Sequence, residues 1–179
     1  MDIRTLCLGI LALGDATGYE IRKMVREGAL SFVAEASFGS IYPALSQLAQ
    51  DGLITCRSEP QEGRPDKKIY AITEAGREAL RRVLQQPPAA DRMRSDFLAA
   101  LLFAEAVAPE RIPALLFLRR EQLAAQIAAL EPLVQDEALS STQRFVLRYG
   151  LHQLKAALAF LENEGARLEE ELRVSSAAE

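Results

Sequence analysis

The sequence predicts a mainly α-helical chain in two parts, with three helices closed by a two-stranded hairpin in the first and long helices in the second. Three observations carry this reading. Apolar residues recur at helical spacing through residues 3–50 and again from residue 97 onward. Between these regions the pattern changes to two extended runs, 53–58 and 68–72. The stretch Gln85-Gln86-Pro87-Pro88-Ala89-Ala90-Asp91 then breaks the helical pattern, with two prolines and no apolar anchor. The expected domains are residues 1–86, a linker at 87–91, and residues 92–179.

Composition limits what such a chain does. Its 179 residues, 49% of them hydrophobic, suffice for one large core or two small ones. The apolar runs are broken by charge well before 18 residues, and the N-terminus lacks the pattern of a secretory signal. A cytoplasmic protein with no membrane partner is therefore expected. Cys7, Cys56 and the single histidine, His152, have no zinc-ligand spacing, so no metal or cofactor is expected and both cysteines read as small core residues. No Ser, Cys or carboxylate stands at motif spacing around His152, and there is no phosphate loop, dinucleotide fingerprint or HExxH motif. Nothing points to an enzyme. The net charge of −4 belongs to the second half: residues 1–86 hold 11 Lys/Arg against 11 Asp/Glu, and residues 87–179 hold 10 against 14. Phosphate binding needs a local basic patch, which this balance permits.

The elements follow in order. Asp2 caps a first helix with Ile3, Leu6, Ile10 and Leu13 at helical spacing and Gly14 as its stop. Thr17-Gly18-Tyr19-Glu20 matches a capping box and opens a second helix to about Gly28, with Ile21, Met24 and Val25 on its apolar side. Arg22, Lys23 and Arg26 face solvent or phosphate. A less regular bridge, Ala29 to Ala36, leads to a third helix starting near Ser40. Here Ile41, Leu45 and Leu48 form one apolar stripe with Ala44 and Ala49 beside them. The opposite face offers Ser40, Tyr42, Pro43, Ser46, Gln47 and Gln50, uncharged groups able to meet base edges or phosphate oxygens. With Ser40 as N-cap, Pro43 falls in the first turn, where a missing N–H is tolerated. Taken alone this could equally be a structural helix with a polar outside. Gly52 ends it, and a hairpin follows whose polar tip, Glu59 to Lys67, brings Arg64, Lys67 and Lys68 close together. Thr73 then caps a helix to about Leu84, with Leu80, Val83 and Leu84 apolar and Arg77, Arg81 and Arg82 outside.

Three helices followed by a two-stranded wing is the order of a winged helix-turn-helix, whose third helix enters the major groove. The motifs Gly18-Tyr19-Glu20-Ile21, Gly39-Ser40-Ile41-Tyr42-Pro43-Ala44-Leu45 with Leu48, Gly52-Leu53-Ile54, Gly63-Arg64-Pro65, and Tyr70 with Thr73-Glu74-Ala75-Gly76 resemble the PadR family of bacterial transcriptional regulators. The resemblance implies a dimeric repressor on a palindromic operator, with Ser40, Tyr42 and Pro43 of the third helix and Arg64 and Lys68 of the wing at DNA. The full candidate DNA-binding set is Tyr19, Ser37, Ser40, Tyr42, Pro43, Gln47, Arg64, Lys67 and Lys68. Two departures stand out: Thr17 where the family often has His, and Asp66 placing negative charge in the wing. The rival reading of such a module is one that binds protein instead of DNA.

In the second half, Phe97, Leu98, Leu101 and Leu102 mark one helix ending before Pro109. A second runs from about Glu110 to Val134, with Pro113 in its first turn and Leu116, Leu123, Ile127, Leu130 and Val134 on one side. Pro132 is placed to kink its end. From about Thr142 to Leu172 a third carries Leu147, Leu151, Leu154, Leu158, Leu161, Leu168 and Leu172, a 4-3 alternation that Gly165 alone interrupts. The helix of residues 110–134 could cover this coiled-coil-like seam within the subunit. The length of the last helix, about 45 Å at ~1.5 Å per residue, favours a surface shared by two subunits, with Leu147, Leu151, Leu154, Leu158 and Leu161 as dimerisation residues. Helix order and length also resemble the larger PadR subfamily, which implies a small aromatic effector as a possible partner.

Overall fold

The computed structural model of the protein describes residues 1–27, 40–61, 64–91 and 93–176; of residues 27, 61, 64, 65, 175 and 176 it describes the backbone only. Two compact units emerge, Met1–Ala90 and Asp91–Glu179.

In the first unit, α1 (Ile3–Leu13) begins where Asp2 accepts a hydrogen bond from the Thr5 N–H at 2.7 Å. A two-residue strand, β1 (Ala16–Thr17), leads directly into α2 (Gly18–Glu27), and α3 spans Ile41–Gln50. Gly28 and the bridge of residues 29–36 lie outside the described residues. The hairpin strands β2 (Ile54–Gln61) and β3 (Arg64–Ile72) precede α4 (Glu74–Leu84). The sheet is antiparallel with β3 in the middle, Ala16 opposite Tyr70 and Cys56 opposite Tyr70 on the other side. Leu11, Ile21, Ile41, Leu45 and Leu48 are almost wholly buried and join Cys7, Val25 and Ile54 in one core.

Several expectations change. The sequence reading contains no β1; two residues are too few to show a period. The hairpin reaches well into the stretch read as a loose tip, since Glu59 pairs with Lys67 and Gln61 with Arg64. The opposite charges of Glu59 and Lys67 favour the first of these pairings. Pro60 falls at a register irregularity between Glu59 and Gln61, on an edge strand where its missing N–H costs little. Leu13, Met24, Val83 and Leu84 are exposed although each lies on an expected apolar face. Leu13, Val83 and Leu84 sit in the last turns of α1 and α4, beyond the reach of the core. Cys56 is exposed too, on a hairpin that has left the core, whereas Cys7 is buried and its thiol pKa is pushed up to about 11 by that burial.

The junction of hairpin and α4 depends on backbone contact. The Thr73 hydroxyl accepts from the Gly76 N–H and donates to carbonyls of Gly52 and Leu53, while Gly52 takes φ 70°. A Cβ on Gly76 would stand 2.1 Å from the Leu53 carbonyl oxygen, which cannot rotate away. Gly76→Ala is therefore expected to destabilise by about 1–3 kcal/mol, as overpacking does. A denaturant midpoint equal to that of the wild type would refute this.

In the second unit, α5 (Asp96–Val107) starts at Ser95, whose hydroxyl accepts from the Leu98 N–H. A 3-10 turn, Pro109–Arg111, leads into α6 (Ile112–Val134), and α7 spans Ser141–Ser176. The buried face of α6 is the one the spacing indicates: Leu116, Leu123, Ile127, Leu130 and Val134. Pro132 lies inside its last turn. Along α7, Leu147 and Leu161 are buried, and Leu154, Leu158, Leu168 and Leu172 pack on the core of Ile112, Leu116, Leu123 and Leu161. This is the within-subunit packing that the sequence also allowed. The 4-3 stripe of α7 is answered by α6 of the same chain, which leaves Leu147 and Leu161 no surface for a partner and Leu151, Leu154 and Leu158 only partial exposure. An ion pair between Arg120 and Glu169 crosses the same two helices.

Candidate nucleic-acid interface

The candidate interface is the outer face of α3 with the wing beside it. Because Ile41, Ala44, Leu45 and Leu48 are buried, α3 has one rotation about its axis, and Tyr42, Pro43, Ser46, Gln47 and Gln50 are turned to solvent. Tyr42 is 51% exposed. Ser40 holds the N-cap position but does not cap. Its backbone is already helical (φ −97°, ψ −15°), whereas a capping serine is extended, and its side chain makes no cap hydrogen bond.

Across an open cleft of about 750 Å³, α3 faces the start of α2 and the strand β3. Tyr42 and Ser46 line one wall, Gly18, Tyr19 and Glu20 a second, and Asp66, Lys67, Lys68 and Tyr70 the third. Four of the nine candidate residues line this cleft, Tyr19, Tyr42, Lys67 and Lys68, and Pro43 stands next to Tyr42 on the exposed side of α3. Ser37 lies outside the described residues, and so does the Arg64 side chain. The remaining two are Ser40, at the head of α3, and Gln47.

Two of these groups are already engaged. The Gln47 Nε2 donates to Asp51 Oδ1 at 3.0 Å, and Asp51 also pairs with Arg4. These bonds, Gln47 first, hold the Asp51 carboxyl below its usual pKa. Gln47 is thus tethered one turn down its own helix, at the i,i+4 spacing that allows such pairs. Lys67 is half-buried and sits 3.7 Å from Glu20 Oε1. The other oxygen, Oε2, accepts from the Thr17 N–H at 2.7 Å and the Thr17 hydroxyl at 2.8 Å, while the Glu20 N–H donates to Thr17 Oγ1. Those hydrogen bonds, with Lys67 adding less, lower the Glu20 pKa. The capping box read from the sequence is present, and it also ties α2 to the wing. That tie makes Lys67 an anchor between the wing and α2. Lys68 is exposed.

Arg22, Lys23 and Arg26 all stand on the exposed side of α2. On α4, Arg81 pairs with Glu74 and Glu78, and Arg82 with Glu78, so the basic rim there is largely neutralised. Arg57 pairs with Asp15 at 2.9 Å. What the surface presents is uncharged groups on a protruding helix, flanked by cations on a hairpin. Such a surface can place hydrogen-bonding side chains in a major groove while lysine meets phosphate. Among the described residues no three His, Cys, Asp or Glu cluster as a metal site, and no helix is long and apolar enough to cross a membrane.

Comparison with known proteins bears on the family and the fold. The model of the "Transcriptional regulator PadR-like family" matches residues 7–82. The negative transcriptional regulator PadR of Bacillus subtilis is 30% identical over 97 residues, 54% of this chain and 53% of that protein. The chain spans about half the length, or less, of the curated relatives it matches. Among solved structures, smu.1604c of Streptococcus mutans is 34% identical with a TM-score of 0.85, covering 93% of this chain and 99% of that one. The PadR-like regulator BC1756 of Bacillus cereus is 29% identical with a TM-score of 0.81, covering 94% of each chain. The B. subtilis PadR solved with operator DNA shares the fold at a TM-score of 0.76 and 24% identity, over 92% of this chain and 96% of that one; it has also been solved with p-coumaric acid. Members of this family regulate transcription and are not enzymes. With three helices, a wing and a helical second unit in the same order, and with its first unit matched to the family along most of its length, the chain belongs to the PadR-like family of transcriptional regulators.

Proposed function

We propose that the protein is a cytoplasmic, ligand-responsive repressor that binds a palindromic operator as a homodimer. The observation that carries this reading is the α3 face, uncharged and exposed at Tyr42, Pro43 and Ser46 beside Lys68 of the wing. The first unit, residues 1–86, reads DNA. The linker 87–91 joins it to a second unit, residues 92–179, that dimerises and senses a ligand. Tyr19, Ser40, Tyr42 and Pro43 lie at or beside the groove. Arg64 and Lys68 take phosphates, as does Lys67 within the limits of its bond to Glu20.

The exposed apolar side chains of α5 support the dimer. Between Asp96 and Glu105 this helix has eight consecutive apolar residues, so it is apolar on every side, the mark of a helix enclosed all round. Within one chain only Ala104 of α5 is buried, while Leu98, Leu102, Phe103 and Val107 are exposed. A second copy is the partner that encloses them and supplies the other half of a symmetric site. For the effector, a small aromatic acid suits the cleft of about 420 Å³ where Phe97, Leu115 and Leu118 stand near Arg94 and Arg119. The p-coumaric acid complex of the B. subtilis regulator supports that class of ligand.

The test is binding to the DNA upstream of its own gene, titrated against salt. Affinity should fall steeply as salt rises, through release of counterions from phosphate. Replacing both Arg64 and Lys68 with Ala should weaken binding to every DNA about equally and flatten the salt slope by roughly one to two units. Absence of sequence-selective binding at any salt would replace the repressor with a protein-binding module. A loss confined to the operator would remove the phosphate role of the wing.

A further inference from the structure

We infer that Gly18 is a positioning residue for DNA recognition, because the Tyr42 ring rests on the bare backbone of Gly18 at the start of α2. The inference rests on the proposed role of α3 at DNA. A Cβ built on Gly18 would meet the Tyr42 ring at 2.5 Å (Cε1), 3.2 Å (Cζ) and 3.3 Å (Cδ1), and no other group is as near. Gly18 is buried beneath the ring while Tyr42 remains 51% exposed on its other side. The ring therefore has a floor and an open face. The floor is held in place from both directions: Thr17 is paired with Ile69 in the sheet, and Glu20 closes the capping box back onto Thr17. Adding a methyl group there cannot shift the backbone easily, but the ring lies at the end of a side chain and can rotate about its Cα–Cβ and Cβ–Cγ bonds. The substitution should then leave the fold intact and move one recognition side chain. A glycine at the first position of α2 thus sets the direction in which a tyrosine on α3 reaches out, 24 positions later in the sequence. Alanine, with its better helix propensity, would otherwise be the more stable choice in a helix.

The experiment is a double-mutant cycle on the full-length protein, comparing wild type, Gly18→Ala, Tyr42→Ala and the double variant. Each is read by operator affinity and by melting temperature, and the wild type also by the nuclear Overhauser contact between Gly18 Hα and the Tyr42 ring. Gly18→Ala should weaken operator binding roughly tenfold while changing the melting temperature little. In the Tyr42→Ala background the same substitution should cost no further affinity, since the ring it displaces is gone. If Gly18→Ala alone melts early, restoration of the melt by Tyr42→Ala would still support the seat. The inference is overturned if the contact is missing in the free wild type, or if, with Tyr42→Ala weakening binding, Gly18→Ala binds operator like wild type or its loss is the same with and without Tyr42. Should the contact be present while Tyr42→Ala binds operator as wild type does, the seat stands and the role of α3 at DNA is what fails.

Discussion

Glutamate at both Leu102 and Phe103 is expected to yield a monomer that keeps its fold and loses tight operator binding. Both side chains are about two-thirds exposed in the single chain, so the substitutions remove little from the subunit's own core. In a dimer closed over α5 they would bury two unpaired carboxylates per chain, at a cost of several kcal/mol each, more than a modest interface can absorb. The monomer would grip one half-site and lose the gain of the second, which tethering can make about 10²–10⁴-fold. Sedimentation should therefore report half the mass, with an unchanged cooperative melt and operator affinity reduced by at least two orders of magnitude. The contrasting pair is Leu154→Glu with Leu158→Glu. These residues pack on the Leu116–Leu123–Leu161 core within the chain, so that variant should lose helical signal from the second unit. A Leu102→Glu/Phe103→Glu protein that stays dimeric would move the interface away from α5.

On α3, Leu45→Ala should unfold and Tyr42→Ala should unbind. Leu45 is fully buried between α1 and the sheet side of the first unit, and truncating such a leucine costs about 2–5 kcal/mol through lost transfer energy and a residual cavity. That is a large share of the stability of a small unit. Tyr42 is half-exposed over Gly18, so its loss leaves the core filled while removing an aromatic hydroxyl from the exposed face of α3. Chemical melts and operator titrations on the two variants should therefore move in opposite columns: a lowered midpoint for Leu45→Ala, and a weakened affinity with a near-normal midpoint for Tyr42→Ala. A reversed pattern would mean that α3 meets DNA with another face.

How far the sequence revealed this depends on the range of each interaction. The rotation of α3 was legible because Ile41, Leu45 and Leu48 set it within eight residues, and the Thr17–Glu20 capping box because its two bonds are local. The tie from Glu20 to Lys67 and the pair of Arg4 with Asp51 join residues 47 positions apart, and no spacing rule reports on those. The seat of Tyr42 on Gly18 was hidden for the same reason, although the Gly-Tyr-Glu motif lay in plain view. The hairpin tip read as a loop since Glu59, Pro60 and Gln61 have poor strand propensity; pairing with Lys67 and Arg64 overrides it. The α7 stripe announced that it needed cover without saying whose. The answer was in the α6 stripe, Leu116, Leu123, Ile127 and Leu130, whose matching spacing suits it to the same seam. The run of eight apolar residues in α5 also stood in the sequence, but its spacing was read only as a helix marked by Phe97, Leu98, Leu101 and Leu102.

Two α3 helices related by a two-fold axis, one in each of two successive major grooves, form the core of the proposed function. Its most direct test is to mix the purified protein with a pool of randomised DNA duplexes, recover those retained, and sequence them. The expected result is an enriched inverted repeat whose half-site centres lie about 10 base pairs, one DNA turn, apart or a multiple of it. Enrichment of a single unrepeated site, or of none, would contradict it.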